Sequence, residues 1–332
     1  MEAVVMIPKE LAPTASKTIV LPHKPSASIH YNYAHGTSDN ILVVFLNGLM
    51  TDRSSWIRVM AGVMRQRKGT AAGSPSLLSY DRYGQGTTVT RDPQDEGREE
   101  GHGHDCKDAA DDLHYLIEGV VREQMSVRAE DLRLFLVANS IGCAIARIYA
   151  QTYSVAALLL LDPIIANSDF DFWPNPDSTD IRRPEDLPHG VTDEILRQQR
   201  ARFAAIFHPS VSNKEGLSRR NLAELLPLSA SPMLGTEGNR PWVTVVGHDF
   251  DAFAEESLQT MGTPKSLSMM YSNPAWDSYN KGLAKLTDQN RSKGPIQAKG
   301  CGHFIQRDDP NFVVDETLDL VDKVRLQQSA VW

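Results

Sequence analysis

The feature that most constrains the fold is a series of short, unbroken apolar runs separated by helical patterns. The first run is NILVVFLN, residues 40–47, and its continuity is typical of a strand buried on both faces of a sheet. Later runs of the same kind are SLLSYD, LRLFLVA, AALLLLD, PWVTVVG and PIQAKG. Helical patterns such as DAADDLHYLIEGVVREQ lie between the early runs. This alternation predicts βαβ units and a mostly parallel, twisted α/β sheet flanked by helices.

Both ends of the chain extend this architecture. Near the start, KTIVLP and SIHYNYA alternate apolar and polar residues, which predicts two paired antiparallel strands ahead of the parallel ones. Near the end, DPNFVVDETLDLVDKVRLQQ has apolar residues at helical spacing, which predicts a helix that covers one face of the sheet.

The alternation of strand and helix patterns is interrupted between Pro163 and about Arg240. A Pro- and Asp-rich stretch is followed there by the amphipathic segment TDEILRQQRARFAAIFHP, with Thr192 as its expected N-cap. We interpret residues 163–240 as an inserted cap, between a first core part at 1–162 and a second at 241–332. Trp173 and Phe203 are expected to form part of a substrate pocket beneath it.

Composition excludes several classes of function. The net charge of -8 over 332 residues disfavours a phosphate-binding surface, so nucleic acid is not an expected partner. No apolar run approaches the roughly 20 residues that span a bilayer, and the first residues lack a secretory pattern, which favours the cytoplasm. The three cysteines and the histidine pair His102 and His104 lack a metal-ligand spacing, so neither a metal nor a disulfide framework is expected. The two histidines lie in a Gly- and charge-rich stretch, which we interpret as a solvated loop.

Ser140 is the candidate nucleophile. It follows the strand run LFLV and precedes the small and apolar residues of a predicted helix, and a strand, a tight turn and a helix form the setting of a nucleophile elbow. Small residues must flank such a serine, and Ala138 and Gly142 meet this condition. The alternative is a serine that merely caps the helix.

A serine needs a histidine as base and a carboxylate that orients the histidine. His303 follows the last strand run within KGCGHF and precedes the C-terminal helix, so it is the candidate base. Carboxylates follow two strand runs, Asp162 after the earlier and Asp249 or Asp251 after the later. Because parallel strands bring their carboxyl ends to one edge, either site could serve. His248, next to Asp249, is expected to lie near the same site.

An acyl intermediate also needs backbone donors for its oxyanion. The Ile141 N–H follows the nucleophile directly, and a turn at Asn47 and Gly48 would leave the Leu49 N–H free to point at the substrate. Asn47 and Gly48 are therefore also candidate substrate-binding residues. The alternative is an ordinary Asn-Gly turn.

Six segments, taken in their order along the chain, resemble motifs of the α/β-hydrolase family. They are FLNGLM, SYDRYGQGTT, VANSIG, LLLLDP, VVGHDFD and GCGHFIQRDDP. The resemblance extends from Lys17 to the C-terminal helix. The resemblance implies an α/β-hydrolase fold with Ser140 as nucleophile, His303 as base and an acid at either of the two strand ends. The chain departs from the family in having Ala138 at the first elbow glycine and Asn47 in place of a histidine.

The resemblance implies a cofactor-independent serine hydrolase acting on a carboxylic ester, lactone or thioester of a medium-sized apolar, acyl- or polyketide-like substrate. Taken whole, the chain looks similar to stand-alone hydrolases of fungal biosynthetic pathways. Relatives with altered elbows include cyclases, lyases and ligand-binding members with little turnover, so these remain alternatives. SYDRYGQGTT lacks the third glycine of a dinucleotide loop, and no nicotinamide cofactor is expected. Whether the chain forms a homodimer is left open.

Overall fold

A computed structural model describes residues 15–38, 40–178 and 187–329. The strands in these residues are Ala15–Val20 (β1), Ser28–Ala34 (β2), Ile41–Leu46 (β3), Ser76–Tyr80 (β4), His104–Asp105 (β5), Arg133–Asn139 (β6), Ala157–Leu161 (β7), Leu217–Ser218 (β8), Trp242–His248 (β9) and Ser292–Ala298 (β10). The helices are Ile57–Arg67 (α1), Cys106–Gln124 (α2), Ile141–Thr152 (α3), Asp193–Phe207 (α4), Leu222–Leu225 (α5), Phe250–Met261 (α6), Lys265–Leu267 (α7), Asn273–Leu283 (α8), Ile305–Asp308 (α9) and Pro310–Ser329 (α10).

Eight strands form one mostly parallel sheet in the order β1-β2-β4-β3-β6-β7-β9-β10. β2 runs antiparallel to both of its neighbours, β1 and β4, whereas every other adjacent pair is parallel. The predicted strands and the predicted change from antiparallel to parallel pairing are confirmed. The carboxyl ends of β3, β6, β7 and β9 therefore meet at one edge.

Alternation of side chains divides the core between the two faces of the sheet. In β3, Leu42, Val44 and Leu46 pack on one face, while Ile41, Val43 and Phe45 pack on the other. The first face carries α2, α3 and α8, and the second carries α1 and α10. The continuous apolar runs of the central strands thus reflect burial on both sides. The run PIQAKG is expected to be buried in the same way, but it forms the edge strand β10, in which only Ala298 is buried. The predicted position of the C-terminal helix is confirmed.

Side-chain caps fix the starts of two predicted helices. The Asp105 carboxylate accepts hydrogen bonds from the N–H groups of Lys107 and Asp108, and the Asp108 carboxylate accepts one from the Asp105 N–H, which makes a reciprocal capping box for α2. Thr192 accepts a hydrogen bond from the Ile195 N–H at 3.2 Å, as predicted for the start of α4.

Between β7 and β9 the chain leaves the main sheet and forms α4, β8 and α5. β8 pairs with β5 in a separate two-stranded sheet. The division into core parts at 1–162 and 241–332 and a cap at 163–240 stays a prediction, and residues 1–14, 39, 179–186 and 330–332 of those ranges lie outside the described residues. Among the described residues, no helix has the length and apolar character needed to cross a bilayer.

Candidate active site

Ser140 occupies the tight turn between β6 and α3. Its backbone has φ 56° and ψ -123°, a conformation that is rare for a residue with a side chain and that costs free energy. Its side chain makes no capping hydrogen bond to α3, so the alternative of a simple capping serine does not describe this residue. The turn instead has the strained geometry of a nucleophile elbow.

The residues around the turn must be small because two loops meet there. A Cβ added at Gly142 would lie 2.8 Å from the carbonyl oxygens of Leu46 and Asn47. A Cβ added at Gly48 would lie 3.4 Å from the Cβ of Ser140. The start of α3 therefore packs directly on the end of β3, and this contact brings the turn after β3 beside the serine.

Asp162, at the end of β7, is the carboxylate that contacts His303. Its Oδ2 lies 2.5 Å from the Nδ1 of His303, and the carboxylate is fully buried. A carboxylate can only accept, so Nδ1 carries the proton and the other ring nitrogen, Nε2, keeps its lone pair. That lone pair is what a general base uses.

The structure gives Asp249 a different environment. Its carboxylate accepts hydrogen bonds from the N–H groups of Asp251 and Ala252 at 3.0 and 3.1 Å, and from the Gly300 N–H at 3.3 Å. Asp249 therefore caps α6, and Asp251 is an exposed residue in the first turn of that helix. Of the two strand ends left open by the sequence, the earlier one brings its carboxylate to His303.

A second histidine, His248, shares the Asp162 carboxylate. Its Nδ1 lies 2.8 Å from Asp162 Oδ1, and its backbone N–H donates to the same oxygen at 3.2 Å. Burial alone would raise the pKa of Asp162, but the charge and hydrogen bond of His248, followed by those of His303, lower it well below its ordinary value. Asp162 is therefore ionised, and its single charge faces two imidazole rings.

Asn139, the residue before the serine, connects this turn to the histidine loop. Its side-chain amide donates to the carbonyl oxygens of Leu161 and His303, both at 3.0 Å, and its Oδ1 accepts from Gln306 Nε2 at 3.2 Å. The backbone N–H of His303 donates to Glu256 Oε2 at 2.8 Å. The position of the base is thus held by side chains from β6 and α6.

A buried network holds the turn after β3. Arg82 donates to the carbonyl oxygens of Asn47 and Gly48 at 2.9 and 3.0 Å, and Gln85 donates to the Gly48 oxygen at 2.9 Å. Glu215 pairs with Arg82 at 2.9 Å and accepts a hydrogen bond from the Met50 N–H. Sequence reasoning missed these three side chains. Arg82 and Gln85 lie within the quoted SYDRYGQGTT turn, whereas Glu215 carries no local signal.

Asn47 does not contribute its side chain to a substrate pocket. It is 1% exposed, donates to the Tyr80 carbonyl oxygen at 2.8 Å and accepts from the Trp56 indole at 2.9 Å. Its role is to hold the turn, which corrects the expectation that this side chain binds substrate. Gly48 contributes close packing on the serine turn, and Leu49 and Ile141, the predicted oxyanion donors, both line the cavity beside Ser140.

The cavity at Ser140 and His303 has a volume of about 520 Å³ and a largely apolar wall. Ile164, Phe170, Ile206 and Phe207 come from the segment between β7 and β9, and Trp276 comes from α8. A second cavity, of about 560 Å³, lies at the amino ends of β6 and β9, away from Ser140. The first cavity is the one that could hold a substrate against the serine.

Trp173 and Phe203 do not line this cavity. The centroids of their rings lie 4.8 Å apart, and those of Phe203 and Phe207 lie 4.3 Å apart. Both residues are therefore buried behind the side chains that form the cavity wall. Helical spacing places Phe203 and Phe207 on one face of α4, but it does not show which of the two lines the cavity. The aromatic residues that line the cavity are instead Phe170, Phe207, Trp276 and Phe304.

His104 also departs from its predicted setting. It is 3% exposed, and its Nδ1 lies 2.9 Å from Asp95, so it belongs to a buried pair rather than to a solvated loop. Within residues 15–38, 40–178 and 187–329, no group of three or more His, Cys, Asp or Glu side chains is arranged to hold a metal ion.

The sequence matches the Alpha/beta hydrolase family over residues 43–316. With this match over most of its length, and with the sheet and the site just described, the chain belongs to the α/β-hydrolase family. A comparison with curated protein sequences gave no match.

Solved structures share the fold at low sequence identity. Alpha/beta hydrolase domain-containing protein 10 from mouse is similar with a TM-score of 0.54 and 12% identity, over 93% of this chain and 99% of that one. Epoxide hydrolase VrEH1 from Vigna radiata is similar with a TM-score of 0.53 and 12% identity, over 94% of this chain and 98% of that one. A haloalkane dehalogenase DbeA-M1 loop variant from Bradyrhizobium elkanii is similar with a TM-score of 0.53 and 15% identity, over 96% of this chain and 100% of that one. These proteins have different activities, so the likeness concerns the fold alone.

Proposed function

We propose that the protein is a serine hydrolase that cleaves a carboxylic ester, lactone or thioester through an acyl-enzyme. The observation that carries the proposal is that the strained Ser140 lines the same cavity as His303, whose Nδ1 is hydrogen-bonded to the buried Asp162. An epoxide hydrolase and a dehalogenase share the fold, so the choice of bond rests on the residue at the turn. A serine activated by a histidine is suited to attack an acyl carbon.

In the proposed first step, Ser140 Oγ attacks the acyl carbon while His303 Nε2 takes the hydroxyl proton. The carbonyl oxygen gains a negative charge, and the N–H groups of Leu49 and Ile141 donate to it. Collapse of this intermediate expels the alcohol or thiol, which receives the proton from His303. His303 next takes a proton from water, the resulting hydroxide attacks the acyl-enzyme, and Ser140 recovers its proton as the acid leaves.

Asp162 has two tasks in this scheme. It holds the proton on Nδ1 of His303, which keeps Nε2 free to act as base, and its charge stabilises the imidazolium that forms in each step. Its full burial strengthens this attraction, because little water screens the pair. The proposal thus assigns the acid to Asp162 and a helix-capping role to Asp249.

The shape of the cavity supports a medium-sized apolar acyl group. Apolar side chains from residues 163–240 form much of its wall, which supports the interpretation of this segment as a cap over the serine. The proposal includes the cytoplasmic location that the sequence led us to expect. The alternatives of a cyclase, a lyase or a ligand-binding member have no separate structural observation in their favour.

The test is fluorophosphonate labelling, mapped by mass spectrometry on the wild type and on Ser140→Ala. We expect an adduct on Ser140 that the variant lacks. A folded wild-type protein that gives no adduct between pH 6 and 9 would contradict the proposal. If the protein is labelled, its substrate should be turned over in H₂¹⁸O. A hydrolase should place one ¹⁸O in the acid product, whereas a cyclase or lyase would incorporate none.

A further inference from the structure

His248 has hydrogen-bond partners at both ring nitrogens. Nδ1 faces Asp162 Oδ1 at 2.8 Å, and Nε2 faces Asn273 Oδ1 at 3.1 Å. The residue is 1% exposed, so water does not offer alternative partners. The number of protons on this ring is therefore decided by what its two partners can accept or donate.

The orientation of the Asn273 amide follows from its other contact. Its Nδ2 donates to the backbone carbonyl oxygen of Phe250 at 3.1 Å, and a carbonyl oxygen can only accept. The amide oxygen must therefore be the atom that faces His248 Nε2. The reverse orientation would place two oxygens against each other and leave the amide hydrogens without this acceptor.

Both partners of His248 are thus acceptors. Asn273 Oδ1 requires a proton on Nε2, and the Asp162 carboxylate requires a proton on Nδ1. A neutral imidazole carries a single N–H and would leave one of these buried contacts as two facing lone pairs. A doubly protonated, positively charged ring satisfies both.

The surroundings of the ring agree with a positive charge. Phe253 stacks on it at 4.0 Å between ring centroids, and Trp276 meets it edge to face at 6.0 Å. The titratable groups that act on it are Asp162 after β7 and Glu256 on α6, and Asp249 at the start of α6 feels its charge. Burial alone would lower the pKa of His248, but the charge and hydrogen bond of Asp162 and the hydrogen bond of Asn273 raise it above its ordinary value.

We propose that His248 is a permanent buried imidazolium that offsets the charge of Asp162 and thereby sets the pH range in which His303 acts as a base. The charge state is a property of His248 alone, whereas its effect on the base rests on the proposed hydrolase function. His248 is accordingly a positioning residue, because it acts on the reaction only through Asp162.

The expected effect has a definite sign. His303 must lose its proton to act as a base, so activity rises with pH through an acidic limb. A neutral residue at position 248 would leave the charge of Asp162 fully effective on His303 and favour the protonated ring. The midpoint of the acidic limb should then move to higher pH. We expect a shift of about one to two pH units, which is a usual effect of a nearby opposite charge on a titrating group.

The first experiment needs no activity. In ¹⁵N-histidine-labelled wild-type protein, NMR should show two ring N–H protons on His248, with imidazolium ¹⁵N shifts that stay constant from pH 5.5 to 8.5. Asn273→Leu removes the acceptor for Nε2 and should let His248 titrate at lower pH than in the wild type. A single ring proton on wild-type His248 across this range would overturn the proposal.

The second experiment measures kcat/KM against pH for a chromogenic ester. His248→Gln and Asn273→Leu should both raise the midpoint of the acidic limb, the first more than the second, and should lose at least about tenfold in kcat/KM below that midpoint. Phe253→Leu is the control, since it removes the stacked ring and keeps the charge of His248. An unmoved limb in both test variants, or an equal shift in the control, would refute the role in hydrolysis.

The two failures can be told apart. A protein that neither turns over esters nor reacts with fluorophosphonate, yet shows two ring protons on His248, would keep the buried imidazolium and lose the hydrolase function. A labelled and active protein with a neutral His248 would keep the hydrolase function and lose this inference. If His248→Gln does not fold, Asn273→Leu carries the same comparison with the histidine ring in place.

Discussion

Glu215 and Arg82 stand 133 positions apart in the chain and form a buried ion pair behind the turn at residues 47–50. Glu215 belongs to the segment between β7 and β9, and Arg82 follows β4. The pair orders the carbonyl groups of that turn, so the Leu49 N–H proposed for the oxyanion depends on a carboxylate that is distant in sequence.

We expect Glu215→Gln to lower both stability and turnover. Removing the carboxylate leaves the Arg82 charge buried without its partner, which should lower the free energy of unfolding by about 3–5 kcal/mol. The looser turn should lower kcat about tenfold or more while KM changes little. Urea unfolding and ester hydrolysis measure the two effects. Glu99→Gln is the control, because Glu99 forms a salt bridge with Arg220 in which both side chains are substantially exposed, and it should leave both quantities unchanged.

Asparagine substitutions should separate the two candidate acids. In Asp162→Asn, the amide cannot hold His303 in the required tautomer, and kcat should fall by about three to four orders of magnitude. In Asp249→Asn, the new side chain still caps α6, so kcat should stay within about threefold of the wild type. Steady-state kinetics on both variants provide the measurement. A large loss in Asp249→Asn with a mild loss in Asp162→Asn would reverse the assignment.

The lowered pKa of Asp162 predicts how stability depends on pH. An unfolded aspartate has a pKa of about 3.9, so the stabilisation is fully present above that pH and is lost as the pH falls towards the lower folded value. Urea unfolding of the wild type and of Asp162→Asn should therefore show the largest difference at pH 5 to 7, and the difference should shrink below about pH 4. A difference that grows in acid would contradict an ionised Asp162.

The cavity wall should set the length of the acyl group that is accepted. Phe207→Trp adds volume to the wall, so the preferred chain among p-nitrophenyl esters should become shorter, with about fourfold lower kcat/KM for each methylene that no longer fits. Trp173→Phe changes a residue behind the wall, and its chain-length preference should match the wild type even if its stability falls. Equal changes in the two variants would show that Phe207 has no special place in the cavity.

The sequence predicts most of the fold because burial on both faces leaves a continuous apolar run in each central strand. It also predicts Ser140 as the nucleophile and His303 as the base, since each is a polar residue in a turn or loop that follows a predicted strand. It cannot choose between Asp162 and Asp249, because both follow strands whose ends meet at one edge. The choice depends on which carboxylate points at the ring and which turns back to cap a helix.

Other features lie beyond local patterns. The Glu215 and Arg82 pair joins segments that only the folded chain brings together, and no periodicity marks either residue. For Trp173 and Phe203, an apolar face predicts burial but does not identify the surface that covers it. The same limit applies to His248, which the sequence places near the site without showing its second partner, Asn273.

The hydrogen bonds of Asn139 have a consequence for the search for close relatives. This position is usually free to vary in the serine motif, yet here its amide also holds the His303 loop and accepts from Gln306, three residues beyond the histidine. We therefore expect an asparagine before the serine and a glutamine at that spacing to occur together or to be replaced together. Such a paired signature would identify relatives that share this way of anchoring the base, even where the rest of the sequence has diverged.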